Sequence, residues 1–412
     1  MAQNIIRTTN QLSPLKPRIL ILTDPFGAPA YNPRLRTVCD YLAARGWVVD
    51  VYTERGSLCF SHAYPIHEIA IYNTTSSLEW ACKSLWSLLF DWRNRYFSQA
   101  VRKAISQRTY DCIFCCTFST FPLRAALDIA QERHLPLHVD LRDIDEQVPG
   151  AQYQNHRQWW LRPFRNWYKQ VNIQRRNIVL RQAQSITSVS PWHVNFLKQF
   201  NNNTHLIYNG FDTNIFNPKD CATQHFTIAY VGRIYEQQMQ DPTLLMKALQ
   251  TLQLDIRISW YTNPEGQQRI RRMATDYGVE HLMNYHAYVP LEHVPEILRQ
   301  ASILLVLSNK ATTSGAHGIM TTKFFEALGV EKPVLCVRSD EECLANVINQ
   351  TNAGLAATNV EEIQTFICEK YHEWQKNGFT RQAVINKEQF SREKQAQQFE
   401  QLFIHTLKSH NS

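Results

Sequence analysis

No stretch of this 412-residue sequence is apolar for long enough to cross a bilayer. The nearest candidate, Leu78 to Phe90, is too short and carries Glu79 and Lys83. Residues 1–16, MAQNIIRTTNQLSPLK, are polar and have no apolar h-region, so no signal peptide is read there. The expected location is therefore the cytoplasm. No low-complexity tract or internal repeat is evident. G-x-G-x-x-G and the P-loop lysine motif are also missing, which argues against a nicotinamide enzyme or an NTPase. Cysteine occurs ten times but never as two pairs at zinc-ligand spacing, so no metal site is expected. Cys112, Cys115 and Cys116 fall in YDCIFCCT, an apolar run that reads as a buried strand in a reducing compartment.

Acidic residues are wholly missing from Gln147 to Phe211, although the formal net charge of the chain is only +7. The same span holds Arg157, Arg162, Arg165, Lys169, Arg175, Arg176, Arg181 and Lys198. Such asymmetry suggests an anionic partner. At 44% hydrophobic and 19% charged residues the chain is globular, with material for two cores.

Short apolar runs alternate with helical patterns, which implies parallel sheets with crossover helices. RILILT (18–23) reads as a strand, Leu35, Val38, Cys39 and Leu42 recur at helical spacing, and WVVDVYT (47–53) is the next strand. Further strands are expected at 110–117, 137–141, 185–190 and 205–209, with helices near 83–106, 122–133, 156–182 and 191–200. Residues 214–225, NIFNPKDCATQH, have the turn residues of a linker. The alternation then restarts, with strands at 226–232, 254–261, 302–308 and 333–337 and helices near 242–252, 265–277, 291–300, 322–328 and 340–350. The expected fold is α/β: two doubly wound Rossmann-like domains facing a central cleft. The domains span 17–213 and 226–388, joined by the 214–225 linker, and a helix in 389–412 packs back across one of them. Ligands in open α/β sheets bind at the carboxyl ends of the strands, here inside the cleft.

The segment GAHGIMTTKFFEALGVEKPVLCV (315–337) carries the most chemistry. It sets Lys323 and Glu326 three residues apart at a helix start, where they share a face. Unpaired N–H groups and partial positive charge there favour a phosphate. A carboxylate one turn further on accepts hydrogen bonds from neighbouring hydroxyls, as on a ribose. The pattern suits a nucleoside diphosphate.

Val231-Gly232-Arg233, Asn209-Gly210-Phe211-Asp212 and the Lys323–Glu326 helix, in this order and spacing, resemble the retaining GT-B glycosyltransferases of family 4. That large family includes bacterial lipopolysaccharide, capsule and mannosyl transferases. Asp140-Leu141-Arg142-Asp143 resembles an aspartate-arginine-aspartate element of a subset of them. The resemblance spans roughly residues 18–407. It implies that Arg233 and Lys323 stabilise charge on the leaving diphosphate, with Gly232 and Thr322 beside them, and that Glu326 holds the ribose. Transfer would follow front-face attack, with the leaving phosphate taking the proton. The family usually places a lysine five residues after the arginine, where this chain has Gln238, and Lys323 is a candidate substitute. It also places a glutamate eight residues before the ribose glutamate, where this chain has Gly318. The loop with His317 and Gly318 could instead bring backbone amides to the sugar or phosphate, and Gly27 could do so from the first domain. Asp140, Arg142 and Asp143 either orient acceptor and sugar hydroxyls or form an ion pair that holds their loop.

Two aromatic and basic segments, 78–101 and 152–181, suit helices lying on an anionic membrane or a lipid-linked acceptor. A core of aromatics with a solvated basic face is the other reading. No nucleic-acid-binding fold accompanies them. The expected function is transfer of a sugar from a nucleotide-sugar donor to a saccharide or lipid-linked acceptor in surface polysaccharide or glycolipid synthesis, without a cofactor, in the cytoplasm or peripheral on the inner face of the membrane. A nucleotide-sugar epimerase and a non-catalytic sugar-nucleotide-binding partner subunit are the alternatives.

Overall fold

Backbone that is apolar on both faces must be covered on both faces, and this chain builds two such sheets. The computed structural model describes residues 16–26, 32–56, 61–71, 77–118, 120–147, 162–234, 240–307, 317–337 and 342–410. The first module contains β1 (Arg18–Thr23), α1 (Pro33–Ala44), β2 (Val48–Glu54), β3 (Ile66–Ile69), α2 (Ser77–Phe90), α3 (Trp92–Ala104), β4 (Cys112–Thr117), α4 (Leu123–Arg133), β5 (Leu137–Leu141), α5 (Arg162–Gln182), β6 (Ser185–Ser188), α6 (Pro191–Leu197) and β7 (Thr204–Leu206). Its seven strands are parallel, in the order β3-β2-β1-β4-β5-β6-β7. The second module contains β8 (Phe226–Val231), α7 (Thr243–Gln250), β9 (Ile256–Tyr261), α8 (Pro264–Asp276), β10 (Met283–His286), α9 (Val294–Gln300), β11 (Ile303–Leu307), α10 (Thr322–Val330), β12 (Val334–Val337), α11 (Glu342–Thr351), β13 (Gly354–Ala357) and α12 (Val360–Asn377). Its six strands are also parallel, in the order β10-β9-β8-β11-β12-β13.

In both sheets the strand order reverses beside the first strand, between β1 and β4 and between β8 and β11. Crevices at such reversals open beyond the carboxyl ends of the strands. Local chemistry fixes the elements that border them. Asn32 caps α1 by accepting from the Leu35 N–H, with Pro33 at the first helical position. Cys112, Cys115 and Cys116 are buried in β4, as their apolar run requires. The expected single helix over 83–106 is instead two helices. Asp91 takes a left-handed conformation between α2 and α3, and the Asn94 side chain donates to its carboxylate at 2.9 Å. Strands β3, β10 and β13 and helix α12 add to the expected set.

The last helix, α13 (Arg392–His410), returns to the first module. Ala396, Phe399 and Phe403 join the core that covers β1, β2 and β4, with Phe399 and Phe403 each 5.2 Å from the Phe114 ring. Glu400 accepts from Arg45 at 2.9 Å and from Trp47 at 3.1 Å. Two strands of chain thus cross between the modules, and they are tied together. The Phe211 N–H donates to Phe390 at 3.0 Å, and the Arg392 N–H donates back to Phe211 at 2.8 Å. Among the described residues no helix is long and apolar enough to cross a membrane.

Truncating Phe399 to alanine should cost about 3–5 kcal/mol, the usual range for a buried aromatic. Denaturant unfolding reads this directly, and an unchanged midpoint would mean that α13 contributes nothing to the first module.

Candidate active site

The carboxyl ends of the two sheets border one cleft of about 1060 Å³. From the second module, β8 runs out into Gly232 and Arg233, and α10 points its first turn across them. Thr321 caps α10 by accepting from the Lys323 N–H. Phe324 and Phe325 are fully buried, which fixes the helix roll and leaves Lys323 and Glu326 on the cleft side. The Lys323 ammonium donates to the Tyr230 hydroxyl at 2.8 Å and lies 4.7 Å above that ring. Its stem passes so close to Gly232 that a Cβ there would sit 2.0 Å from the lysine Cε. Only glycine allows that approach. Tyr230 in turn donates to the Arg233 carbonyl at 3.0 Å, so the turn that carries Arg233 is held by the group that holds Lys323.

Glu326 sits on the same wall. Burial raises its carboxyl to about 7, opposed first by Arg392 and then by Lys323. Arg233, Lys323, Glu326, Gly232, Thr322 and Gly318 all line this one cleft.

The first module supplies Arg142 and Asp143, which follow β5. Arg142 is buried, lies 3.2 Å over the Phe118 ring, and donates to Asp24 at 3.3 Å. Burial raises the Asp24 carboxyl, and Arg142 is the largest influence pulling it down. Asp143 lines the open cleft. Asp140, expected at the cleft-facing strand end, is instead fully buried beneath it. Arg34 grips it with two bonds of 2.9 and 3.0 Å, and Thr187 donates to it at 2.7 Å. A carboxylate at the second residue from a strand end points into the layer below, and the arginine of α1 neutralises it there.

His317, expected at the donor, instead lies on the first module. Its ring stacks on Trp192 at 5.2 Å and 9°, and its N–H donates to the Gln147 carbonyl at 2.8 Å. Gly318 has a φ of +61°, and a Cβ on it would meet Trp192 at 2.6 Å and Ser190 Oγ at 2.8 Å. A glutamate at this position has no room in this arrangement of the modules. Gly27 and Gln238 lie outside the described residues.

Several lining residues carry no local sequence signal. Arg34, Arg93, Tyr288 and Arg392 reach the cleft from four distant elements. His193, on α6, is buried with Nδ1 3.0 Å from Ser188 Oγ, and burial lowers its pKa to about 4.

Two parallel nucleotide-fold modules with a cation-bearing cleft between them define the GT-B architecture. Solved structures share it across nearly the whole chain. Sucrose-phosphate synthase from Thermosynechococcus elongatus superposes with a TM-score of 0.66 at 14% identity, covering 96% of this chain and 100% of its own. HepE from Anabaena, in complex with UDP and glucose, gives 0.64 at 16% identity, covering 95% and 99%. UDP-GlcNAc 2-epimerase from Methanocaldococcus jannaschii gives 0.52 at 10% identity, covering 94% and 99%. The fold is thus shared by transferases and an epimerase. Residues 34–215 match the model of Glycosyltransferase Family 4. No curated protein sequence matches the chain.

The raised Glu326 carboxyl has a consequence for stability. A group whose folded pKa lies above its unfolded value stabilises the fold fully at low pH, and loses that contribution as pH rises through the folded value. Glu326 should therefore favour folding near pH 4 and cease to do so above about 7. Melting temperatures of wild type and Glu326→Gln across pH 4–8 check this. The wild type should fall behind the variant as pH rises, and parallel profiles would contradict the assigned shift.

Proposed function

We propose that this protein transfers a sugar, with retention, from a nucleotide-sugar donor to a saccharide or lipid-linked acceptor in the synthesis of a surface polysaccharide or glycolipid. One observation carries the reading: Arg233, Lys323 and Glu326, from two separate segments, converge on a single cleft. Arg233 and Lys323 neutralise the diphosphate, and the charge that develops on it as the glycosidic bond breaks is met by donors already in place. Glu326 accepts from the ribose hydroxyls in its ionised form. The acceptor enters from the first module, where Arg142 and Asp143 present a donor and an acceptor for sugar hydroxyls. Catalysis rests on positioning, with the departing phosphate taking the acceptor proton.

Turnover of a panel of nucleotide sugars, beginning with UDP-glucose, tests the reading. UDP-glucose comes first because HepE has been solved with it bound. Sugar should move only when an acceptor is present. Interconversion of the donor alone would favour the epimerase alternative, and binding without turnover the non-catalytic one. Arg233→Ala should lower kcat/KM about 100-fold or more, the scale for removing one donor to developing charge. Unchanged kinetics would remove Arg233 from the mechanism.

The acceptor side also faces a surface suited to lipid. On α2, Leu85, Trp86, Leu89 and Phe90 are 48%, 56%, 50% and 50% exposed and recur on one helical face. The Trp86 and Phe90 rings lie 4.9 Å apart. Arg175 of α5 holds the end of this helix through the Ser87 and Leu88 carbonyls. Trp167 and Tyr168 of α5 are exposed nearby in a stretch without acidic residues, and Tyr168 and Lys169 line the cleft. We assign this face to peripheral binding of an anionic bilayer. Residues 152–161 of the second expected segment lie outside the described residues. Sedimentation with vesicles containing phosphatidylglycerol should pellet the protein at low salt, and both high salt and Trp86→Ala should reduce the bound fraction. Equal recovery in the supernatant under all conditions would defeat the assignment.

A further inference from the structure

Arg392 opens α13 at the point where the chain crosses back to the first module. Its side chain lines the cleft together with Glu326. The arginine Nε is buried and has no hydrogen-bond partner among the described residues. Among the described residues no hydrogen bond to the Glu326 carboxylate is found, and its charged neighbours are Arg392 and Lys323. Arg392 in turn lies near the charges of Glu326 and Asp212.

Elsewhere in this protein, facing arginine and carboxylate groups close on each other. Arg34 with Asp140 and Arg176 with Glu146 both form two-bond pairs. Partly buried ionic groups that do not close on each other leave hydrogen-bonding capacity for water or a ligand in the cleft. Two such groups lining one cleft can be bridged by something that accepts from one and donates to the other. Hydroxyl groups do both.

Resting on the nucleotide-sugar reading above, we propose that Arg392 is a donor-binding residue which, with Glu326, brackets the ribose diol of the nucleoside diphosphate. The carboxylate accepts from the diol, and the guanidinium donates to its oxygen atoms. The diphosphate itself falls to Arg233 and Lys323, at the first turn of α10 on the same cleft wall. Because Arg392 is fixed through its own backbone to Phe211, ribose binding also engages the crossing between the modules.

Calorimetric titration of the full chain tests this, with the best bound of UDP, ADP and GDP and with its 2′,3′-dideoxy counterpart. Wild type should prefer the ribonucleotide. Arg392→Met should weaken ribonucleotide binding about tenfold, the scale of one charged hydrogen bond, while binding of the dideoxy form stays unchanged. Arg392→Lys, which keeps the charge, should recover part of the loss and serves if the methionine variant does not fold. Equal weakening for both nucleotides would place Arg392 on the phosphates and overturn the proposal, as would no change for either. A wild type that binds none of the three diphosphates would overturn the nucleotide-sugar reading itself, a result distinct from either.

Discussion

Arg34 and Asp140 meet below the cleft floor as a two-bond pair, and much of the site is arranged around them. The arginine comes from the start of α1, the aspartate from β5. The same guanidinium donates to the Tyr208 carbonyl, just ahead of the first crossing, and lies 4.9 Å over Phe399 of the returning helix. Thr187 and Cys116 supply the remaining bonds to the carboxylate. A buried pair of this kind adds little stability over an apolar substitute, but stripping one partner strands a charge at a cost of about 3–5 kcal/mol. Its value is therefore geometric. One side chain sets the positions of α1, β5, the crossing segment and α13 relative to each other.

Those positions decide what the cleft can bind. The missing side chain of Gly232 leaves the space through which the Lys323 stem passes, beside the turn that carries Arg233. Tyr230 links both, through its hydroxyl and its ring. The cationic wall is thus preorganised before any ligand arrives, which is where an electrostatic site gains most of its effect. The opposite wall is built from Arg142 and Asp143, with Arg142 held between Phe118 and Asp24.

The strands and the Lys323–Glu326 helix were legible because their signals are local. Residues three apart on a helix share a face whatever the rest of the chain does. Runs such as RILILT and CIFCCT announce buried parallel strands by composition alone. β3 and β13 gave no such signal, since IHEI is short and half polar and GLAA has no β-branched residue. Helix α12 was readable in principle: Asn359 caps it and Gly378 ends it. The fate of Asp140 was not, because the arginine that claims it lies 106 positions away. Arg392 is silent in sequence for the same reason, as its relation to Glu326 exists only once α13 has crossed back.

Gly318 shows how a departure from a family pattern can be structural rather than a simple loss. The glutamate that the resemblance places there would have to occupy the space of Trp192 and Ser190, and the backbone is left-handed besides. In its stead the neighbouring His317 stacks on Trp192 and bonds to Gln147, so the loop joins the two modules. The loop that the resemblance would place at the donor sugar is, in this structure, a contact between modules. The Gly318 position itself thus offers the cleft no carboxylate, while Asp143 lines that cleft from the first module.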